Sequence, residues 1–167
     1  MIRIVQLDKN AGGKKLRNAC NEQGAVQCEL LPEDLRDKLS DEEVVEFGSK
    51  NGYLTLTFDT GFFISASSRL ARRHSGVLIL RQDYREGQKP LPDVSTKTAP
   101  RILSDFKNAF PEWNSAPWDN AVIELTPTLL YLHRVPRSEL IRRDEPNWQT
   151  KLRRYLEEGS NILPPGT

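Results

Sequence analysis

The sequence YLTLTFDTGFF at residues 53–63 joins a predicted β-strand to a candidate functional residue. Residues 53–57 alternate aromatic or branched apolar side chains with threonines, a pattern typical of a pleated strand. Asp59 follows this strand and precedes Gly61. Because open α/β sheets place their ligand and metal sites just beyond the carboxyl ends of the strands, Asp59 is a candidate site residue. Aspartate is also a common turn residue, so Asp59 needs support from other positions.

Strands and helices alternate on both sides of this stretch. Short apolar runs predict strands at residues 2–7, 25–30 and 77–81. Helices are predicted at residues 11–23, 40–51 and 65–73. The second of these helices begins with a capping box formed by Ser40 and Glu43. We therefore predict an α/β fold with a mainly parallel sheet and right-handed crossovers.

The remainder of the chain begins with a proline-containing stretch. Residues 84–100 predict an exposed loop, and apolar residues at helical spacing follow in residues 101–110. Residues 121–125 and 129–133 predict an antiparallel C-terminal hairpin. Residues 147–158 predict an amphipathic terminal helix.

The bulk composition limits the class of protein. The 167 residues form one domain with at most a terminal addition, and a net charge of +1 gives no support for a general polyanion-binding surface. Cys20 and Cys28 form no metal motif, so we expect buried free thiols. No apolar run approaches the roughly 18 residues of a membrane span. Residues 1–7 show no signal-peptide pattern, so we expect a cytoplasmic protein with no membrane partner.

Two further acids are expected near Asp59. Asp8 ends the first predicted strand, and it shares a sheet edge with Asp59 if the first and third strands are neighbours. Asp41 begins the helix that leads back into the third strand, so its carboxylate is expected at the same edge. Three converging carboxylates repel one another without a cation, and Mg²⁺ or Mn²⁺ suits such a cluster of hard oxygen ligands.

Each acid also has a purely structural interpretation. Asp8 can belong to a turn with the two residues that follow it, and Asp59 can start a turn before Gly61. Asp41 can simply complement the helix dipole beside its cap. The coincidence of two strand ends and one helix start favours a shared site.

Four short motifs resemble a known family. LDKN at residues 7–10, SDEEVVEFG at residues 40–48, LTLTFDTGF at residues 54–62 and GVLILR at residues 76–81 are similar, in order and spacing, to the PIN-like proteins of the DUF5615 group, relatives of the Mut7-C and VapC-type ribonucleases. The resemblance implies a three-layer, Rossmann-like PIN domain over residues 1–136. It leaves residues 137–167 as a C-terminal helical extension, which could serve a homodimer or partner interface.

The resemblance also implies a function. The family suggests a metal-dependent endoribonuclease, a hydrolase that acts on RNA with Mg²⁺ or Mn²⁺ and is often the toxin inhibited by an antitoxin protein. Asp8, Asp41 and Asp59 match the family's metal-binding and catalytic acids. Thr57 matches a threonine that orients a carboxylate or water, and Asn10 matches a polar residue of the first motif.

The chain departs from the family pattern at an acidic position. Gly61 replaces a further acid of the third motif, and the proline that commonly follows the first motif is absent. The missing acid could weaken metal binding or abolish cleavage, and Glu42 or Asp37 could substitute for it. A second interpretation is therefore a catalytically silent PIN-like module that binds a protein or RNA partner. A response-regulator-like acidic pocket is less favoured, because no phosphoacceptor and lysine set is well placed.

Basic and aromatic residues are weaker candidates for RNA contacts. Four arginines could steer a phosphate backbone: Arg69, Arg72, Arg73 and Arg81. The first three could equally form the solvated face of a helix. His74 is expected to be a loop or capping residue. The aromatic residues expected to pack inside the protein are Phe62, Phe63, Trp113 and Trp118.

Overall fold

A computed structural model describes residues 2–9, 11, 13–24, 26–59, 61, 73–83, 97–134 and 137–162. The strands are β1 (Ile4–Leu7), β2 (Gln27–Leu30), β3 (Leu54–Thr57), β4 (Val77–Leu80), β5 (Val122–Leu125), β6 (Leu129–Arg134) and β7 (Arg137–Arg142). The helices are α1 (Gly13–Glu22), α2 (Asp41–Lys50), α3 (Ala99–Ala109) and α4 (Trp148–Ser160), and a short 3₁₀ helix spans Pro111–Trp113. The predicted α/β class is confirmed.

The seven strands form one sheet in the order β2-β1-β3-β4-β5-β6-β7. Neighbouring strands from β2 to β5 are parallel, whereas β6 is antiparallel to β5 and to β7. The first and third strands are therefore neighbours with the second strand outside them, which is the condition on which a shared edge for Asp8 and Asp59 depends. The antiparallel hairpin of β5 and β6 is also confirmed.

Helices cover both faces of the sheet, which gives the predicted three-layer arrangement. On one face α1, α3 and α4 pack in a single apolar cluster that includes Leu16, Phe106 and Leu152. On the other face, Val44 and Val45 of α2 join a smaller cluster with residues of β4 and β5. Strands β3 and β4 are buried throughout because both of their faces are covered.

Aromatic side chains dominate the larger cluster between α3 and α4. Trp113 and Trp118 are buried, as predicted, and their rings meet edge to face with centroids 5.3 Å apart. The ring centroid of Phe106 lies within 6.0 Å of the ring centroids of Trp113 and Trp148. Cys20 and Cys28 are buried free thiols, as predicted. Phe62 and Phe63 lie outside the described residues.

The structure extends the sheet beyond the predicted hairpin. No strand is predicted for residues 137–142, whereas β7 pairs with β6 over its whole length. Only Ile141 of this strand belongs to the core, and Leu140 is exposed, so the apolar alternation is too weak to reveal an edge strand. Residues 65–72 of the predicted helix at 65–73 and most of the loop predicted at 84–100 lie outside the described residues, and Arg73 itself is not helical.

Helix α4 is attached to the sheet by a buried hydroxyl group. Tyr155 Oη accepts the backbone N–H of Val122 at 2.9 Å and donates to the carbonyl of His133 at 2.5 Å. The first partner lies in β5 and the second in β6, so one side chain joins the terminal helix to both strands of the hairpin. None of the described helices is long and apolar enough to cross a membrane.

Candidate metal and active site

The carboxyl ends of β1 and β3 place two acids side by side. The backbone N–H of Asp8 donates to the carbonyl of Leu56 at 2.9 Å, which continues the pairing of the two strands by one residue. The carbonyl of Asp8 then accepts the N–H of Ala11 at 2.9 Å, so the chain turns away directly after the acid. Asp8 is therefore fixed at the sheet edge, and it is only 2% exposed.

Thr57 connects the two strand-end acids. Its hydroxyl group donates to Asp8 Oδ2 at 3.1 Å and accepts the backbone N–H of Asp59 at 3.1 Å. Because Thr57 is fully buried, its hydroxyl group is held in place, and so are the Asp8 carboxylate and the Asp59 backbone N–H that bind it. Thr57 is thus a positioning residue that holds the carboxylate of Asp8 and the start of the turn at Asp59. This agrees with the role that the resemblance implies for it.

Asp41 reaches this edge because α2 begins there and packs closely on β1 and β3. The predicted capping box is present: Ser40 Oγ accepts the N–H of Glu43 at 3.3 Å, and the Glu43 carboxylate accepts the N–H of Ser40 at 3.0 Å. A Cβ atom at Gly48 would lie 2.8 Å from Thr55 Oγ1, so only glycine allows this helix to approach the sheet so closely.

Gln6 also attaches α2 to the sheet, and it was not singled out from the sequence. Its side-chain amide donates to the carbonyl of Val44 at 3.1 Å, within the buried interface of β1 and α2. Its Oε1 atom is buried and receives no hydrogen bond from the part of the chain that the structure describes. The sequence signal for this buried contact was a glutamine within the largely apolar run IRIVQL, because a buried polar side chain needs a hydrogen-bond partner.

The three predicted acids influence one another electrostatically. Burial raises the pKa of Asp41 to about 6, and repulsion from the carboxylates of Asp8 and Asp59 contributes to this rise. Lys9 opposes the shift, and Glu42 adds to it. Asp41 Oδ2 is buried and accepts no hydrogen bond from any described residue. The carboxylates of Asp8 and Asp59 are thus close enough to act on the pKa of Asp41, and the shared metal site of the three acids stays a prediction.

The raised pKa of Asp41 predicts a specific pH dependence of stability in metal-free buffer. An acid whose folded pKa exceeds its unfolded value of 3.8 stabilises the fold below pH 4, and this contribution is lost as the pH rises through about 6. The free energy of unfolding should therefore fall by about 1 kcal/mol relative to Asp41→Asn over this interval, a value discounted because Asp41 is partly exposed. Urea denaturation in EDTA measures it.

The matched control for this pH series is Asp37→Asn, which removes an exposed acid of the connection between β2 and α2. Its unfolding free energy should follow the wild-type curve at every pH. A constant difference between the wild-type protein and Asp41→Asn from pH 4 to 7 would contradict the electrostatic coupling of the three acids.

The carboxylates at this edge are the type of ligand that a hard cation prefers, but they are not arranged around a common point. Carboxylates that repel one another, one of them with an unpartnered buried oxygen, are stabilised by Mg²⁺ or Mn²⁺. However, no group of three His, Cys, Asp or Glu side chains within the described ranges is arranged to hold a metal ion. An ion bound here would rest on one or two of these carboxylates and on retained waters, which is common for Mg²⁺.

The other predicted site residues are distributed over both edges of the sheet. Glu42 lies half-buried in the first turn of α2, next to Asp41. Arg81 follows β4 at the same edge as the acids and forms an ion pair of 3.2 Å with Glu124. Arg73 instead pairs with Asp119 at 2.9 Å, ahead of β5, at the opposite edge. The residues Asn10, Arg69 and Arg72 lie outside the described ranges.

His74 occupies the loop before β4, as expected, but its ring is buried. Its Nδ1 atom accepts the backbone N–H of Gly76 at 3.2 Å, and burial lowers its pKa to about 4. The ring is therefore neutral at physiological pH and supports the loop. It lies at the sheet edge opposite the acids, because this loop precedes β4.

Comparison with known proteins does not extend the resemblance seen in the short motifs. No protein-family model, no curated protein and no solved structure matches the chain. The fold and the position of the acids therefore rest on the structure alone. Membership of the PIN-like group stays a prediction.

Proposed function

We propose that the protein is a divalent-metal-dependent endoribonuclease that hydrolyses RNA phosphodiesters in the cytoplasm and acts as the toxin of a toxin–antitoxin pair. The observation that carries this proposal is the pair of hydrogen bonds by which Thr57 holds the Asp8 carboxylate and the backbone of Asp59 at the carboxyl edge of the sheet, where α2 begins with Asp41. The motif resemblance supplies the reaction class, and the strand order supports the arrangement that this class requires.

The residues of the edge have separable roles in this proposal. One or two of the carboxylates of Asp8, Asp41 and Asp59, together with retained waters, would hold Mg²⁺ or Mn²⁺, which when bound lowers the pKa of a coordinated water and offsets charge on the phosphodiester. Thr57 orients Asp8 through its hydroxyl group, and this contact also fixes the backbone of Asp59. Asp41 Oδ2, which has no described donor, is the oxygen free to receive a proton or a ligand.

Cleavage of RNA by the wild-type protein tests this proposal. A panel of single-stranded and structured RNAs would be incubated with Mg²⁺, with Mn²⁺ and with EDTA. We expect cutting with either ion and none with EDTA, because the carboxylates need a cation to approach a polyanion. If folded protein neither cuts RNA nor binds either metal by calorimetry, the nuclease proposal fails.

A catalytically silent module that binds a protein or RNA partner is the second candidate function. The observation that favours it is the lack, among the described residues, of three acids, histidines or cysteines arranged to hold an ion. Gly61 is exposed, and a Cβ atom there would meet no atom of the described residues within 4 Å, so none of them obstructs an acid at this position. Metal binding gained by Gly61→Asp but absent from the wild type would support the silent module.

A further inference from the structure

A cavity of about 500 Å³ lies at the same edge of the sheet as the acids, on the side covered by α3 and α4. It is lined by the turn between β5 and β6, the residues at the end of β7, the end of α3 and the start of α4. A volume of this size is typical of sites for small organic ligands. None of the three candidate metal-binding acids contributes to its lining.

Arg143 is the central polar residue of this lining. Its Nη1 atom donates to the carbonyls of Thr126 and Pro127, at 3.3 and 3.0 Å. Its guanidinium carbon lies 5.5 Å from the ring centre of Trp148 and 5.8 Å from that of Phe106. The Nε atom is buried and has no hydrogen-bond partner among the described residues. The guanidinium group thus has donor capacity that the described residues do not use.

The charges of the lining favour an anion. Arg142 and Arg143 contribute two positive charges, against one negative charge from Asp144, which lies 3.7 Å from Arg142. Asp83 and Asp105 act on Arg143 from outside the lining, and among the described residues neither is within ion-pair distance of it. Burial lowers the pKa of Arg143, as expected for a guanidinium that lacks a direct counter-ion.

We propose that this cavity binds a phosphorylated nucleoside, either a free mononucleotide or the terminal nucleotide of an RNA strand. Nη1 of Arg143 is bonded to carbonyls and Nε is buried, so the Nη2 group, which donates to no described residue, is the donor that suits a phosphate oxygen, and Arg142 adds a second cation at the mouth. Guanidinium planes and indole rings such as those of Arg143 and Trp148 also suit the flat face of a nucleobase. The RNA arm of this proposal rests on the proposed nuclease function, whereas the mononucleotide arm is independent of it.

Calorimetric titration in EDTA tests the cavity without any contribution from cleavage. Adenosine 5′-monophosphate should bind the wild-type protein, and adenosine should bind about 10- to 100-fold more weakly because it lacks the charged acceptor. Arg143→Gln should weaken binding of the monophosphate by a similar factor. Arg101→Gln, an exposed arginine of α3 outside the cavity, is the matched control and should bind as the wild type does.

A second variant keeps the proposal testable if Arg143→Gln does not fold. Ala109→Leu would place a larger side chain in the cavity without removing any hydrogen bond of Arg143, and it should also reduce binding. Equal binding of the monophosphate and adenosine, or unchanged binding by both folded variants, would overturn the proposal. So would the lack of any heat signal with wild-type protein.

Short RNAs with and without a 5′-phosphate distinguish the two ligand sources. Preferential binding of the phosphorylated RNA, in competition with the monophosphate, identifies a terminal nucleotide. Binding of the monophosphate alone identifies a free nucleotide. The titrations use EDTA, so they measure the cavity without cleavage. If Arg143→Gln loses binding but keeps metal-dependent cleavage, the cavity is a site separate from the nuclease. If the wild-type protein binds the monophosphate but does not cleave RNA, the cavity proposal stands and the nuclease proposal fails.

Discussion

The variant Asp59→Asn is expected to cleave RNA about 100- to 1,000-fold more slowly than the wild-type protein in Mg²⁺. Asparagine has nearly the same shape as aspartate, and the backbone N–H that Thr57 accepts is unchanged. The substitution therefore removes one negative charge from the edge with little effect on its geometry. Initial rates of cleavage at saturating metal, compared at equal folded protein concentration, measure the loss.

The control for this experiment is Asp34→Asn, which removes an exposed acid from the turn after β2. It changes the net charge of the protein by the same amount, so it accounts for any general effect on RNA association. We expect its rate to stay within about twofold of the wild type, since surface charges have small individual effects. A nuclease that is insensitive to Asp59→Asn would have its active site elsewhere.

The variant Gly76→Ala is expected to destabilise the fold by about 3 to 5 kcal/mol. Gly76 precedes β4 with a φ of +108°, a backbone conformation that residues with a Cβ atom rarely adopt. A Cβ atom would lie 2.6 Å from the carbonyl oxygen of Trp118 and 2.9 Å from Leu54 Cδ1. Strain and overpacking therefore act together, and neither neighbour can move freely, because both are buried.

Thermal unfolding provides the measurement for Gly76→Ala. A loss of this size corresponds to a decrease in Tm of about 10 °C or more for a chain of this length. Gly61→Ala is the matched control, because a Cβ atom there meets no described residue within 4 Å, and its Tm should change by less than about 2 °C. A Tm of Gly76→Ala close to that of the wild type would show that the loop before β4 can rearrange at little cost.

Local sequence patterns explain why the parallel strands, and the positions of the three acids at the ends of elements, could be predicted. Strand β3 has a clear alternation, α2 has a full capping box, and the alternation of strands and helices indicates a mainly parallel sheet. Asp8, Asp41 and Asp59 stand at element ends, where position along the chain predicts position in space. Each of these signals lies within about ten residues of sequence.

Features that depend on distant contacts could not be predicted in this way. Strand β7 is defined by its pairing with β6, since its own residues give only one buried apolar position. The contact of Tyr155 with Val122 spans 33 residues, and the cavity beside Arg143 requires four elements that are far apart in sequence. The distances among the carboxylates likewise depend on how closely Gly48 lets α2 approach the sheet.

The attachment of α4 through Tyr155 has a consequence for synthesis of the chain. The hydroxyl group joins residues of β5 and β6, and the side chains of α4 complete the same apolar cluster that contains β1 and α1. A nascent chain that ends before residue 160 thus leaves aromatic surface uncovered, and such surface invites chaperone binding or aggregation. Folding is expected to finish only after α4 has left the ribosome, so any activity of the sheet edge has to wait for this helix.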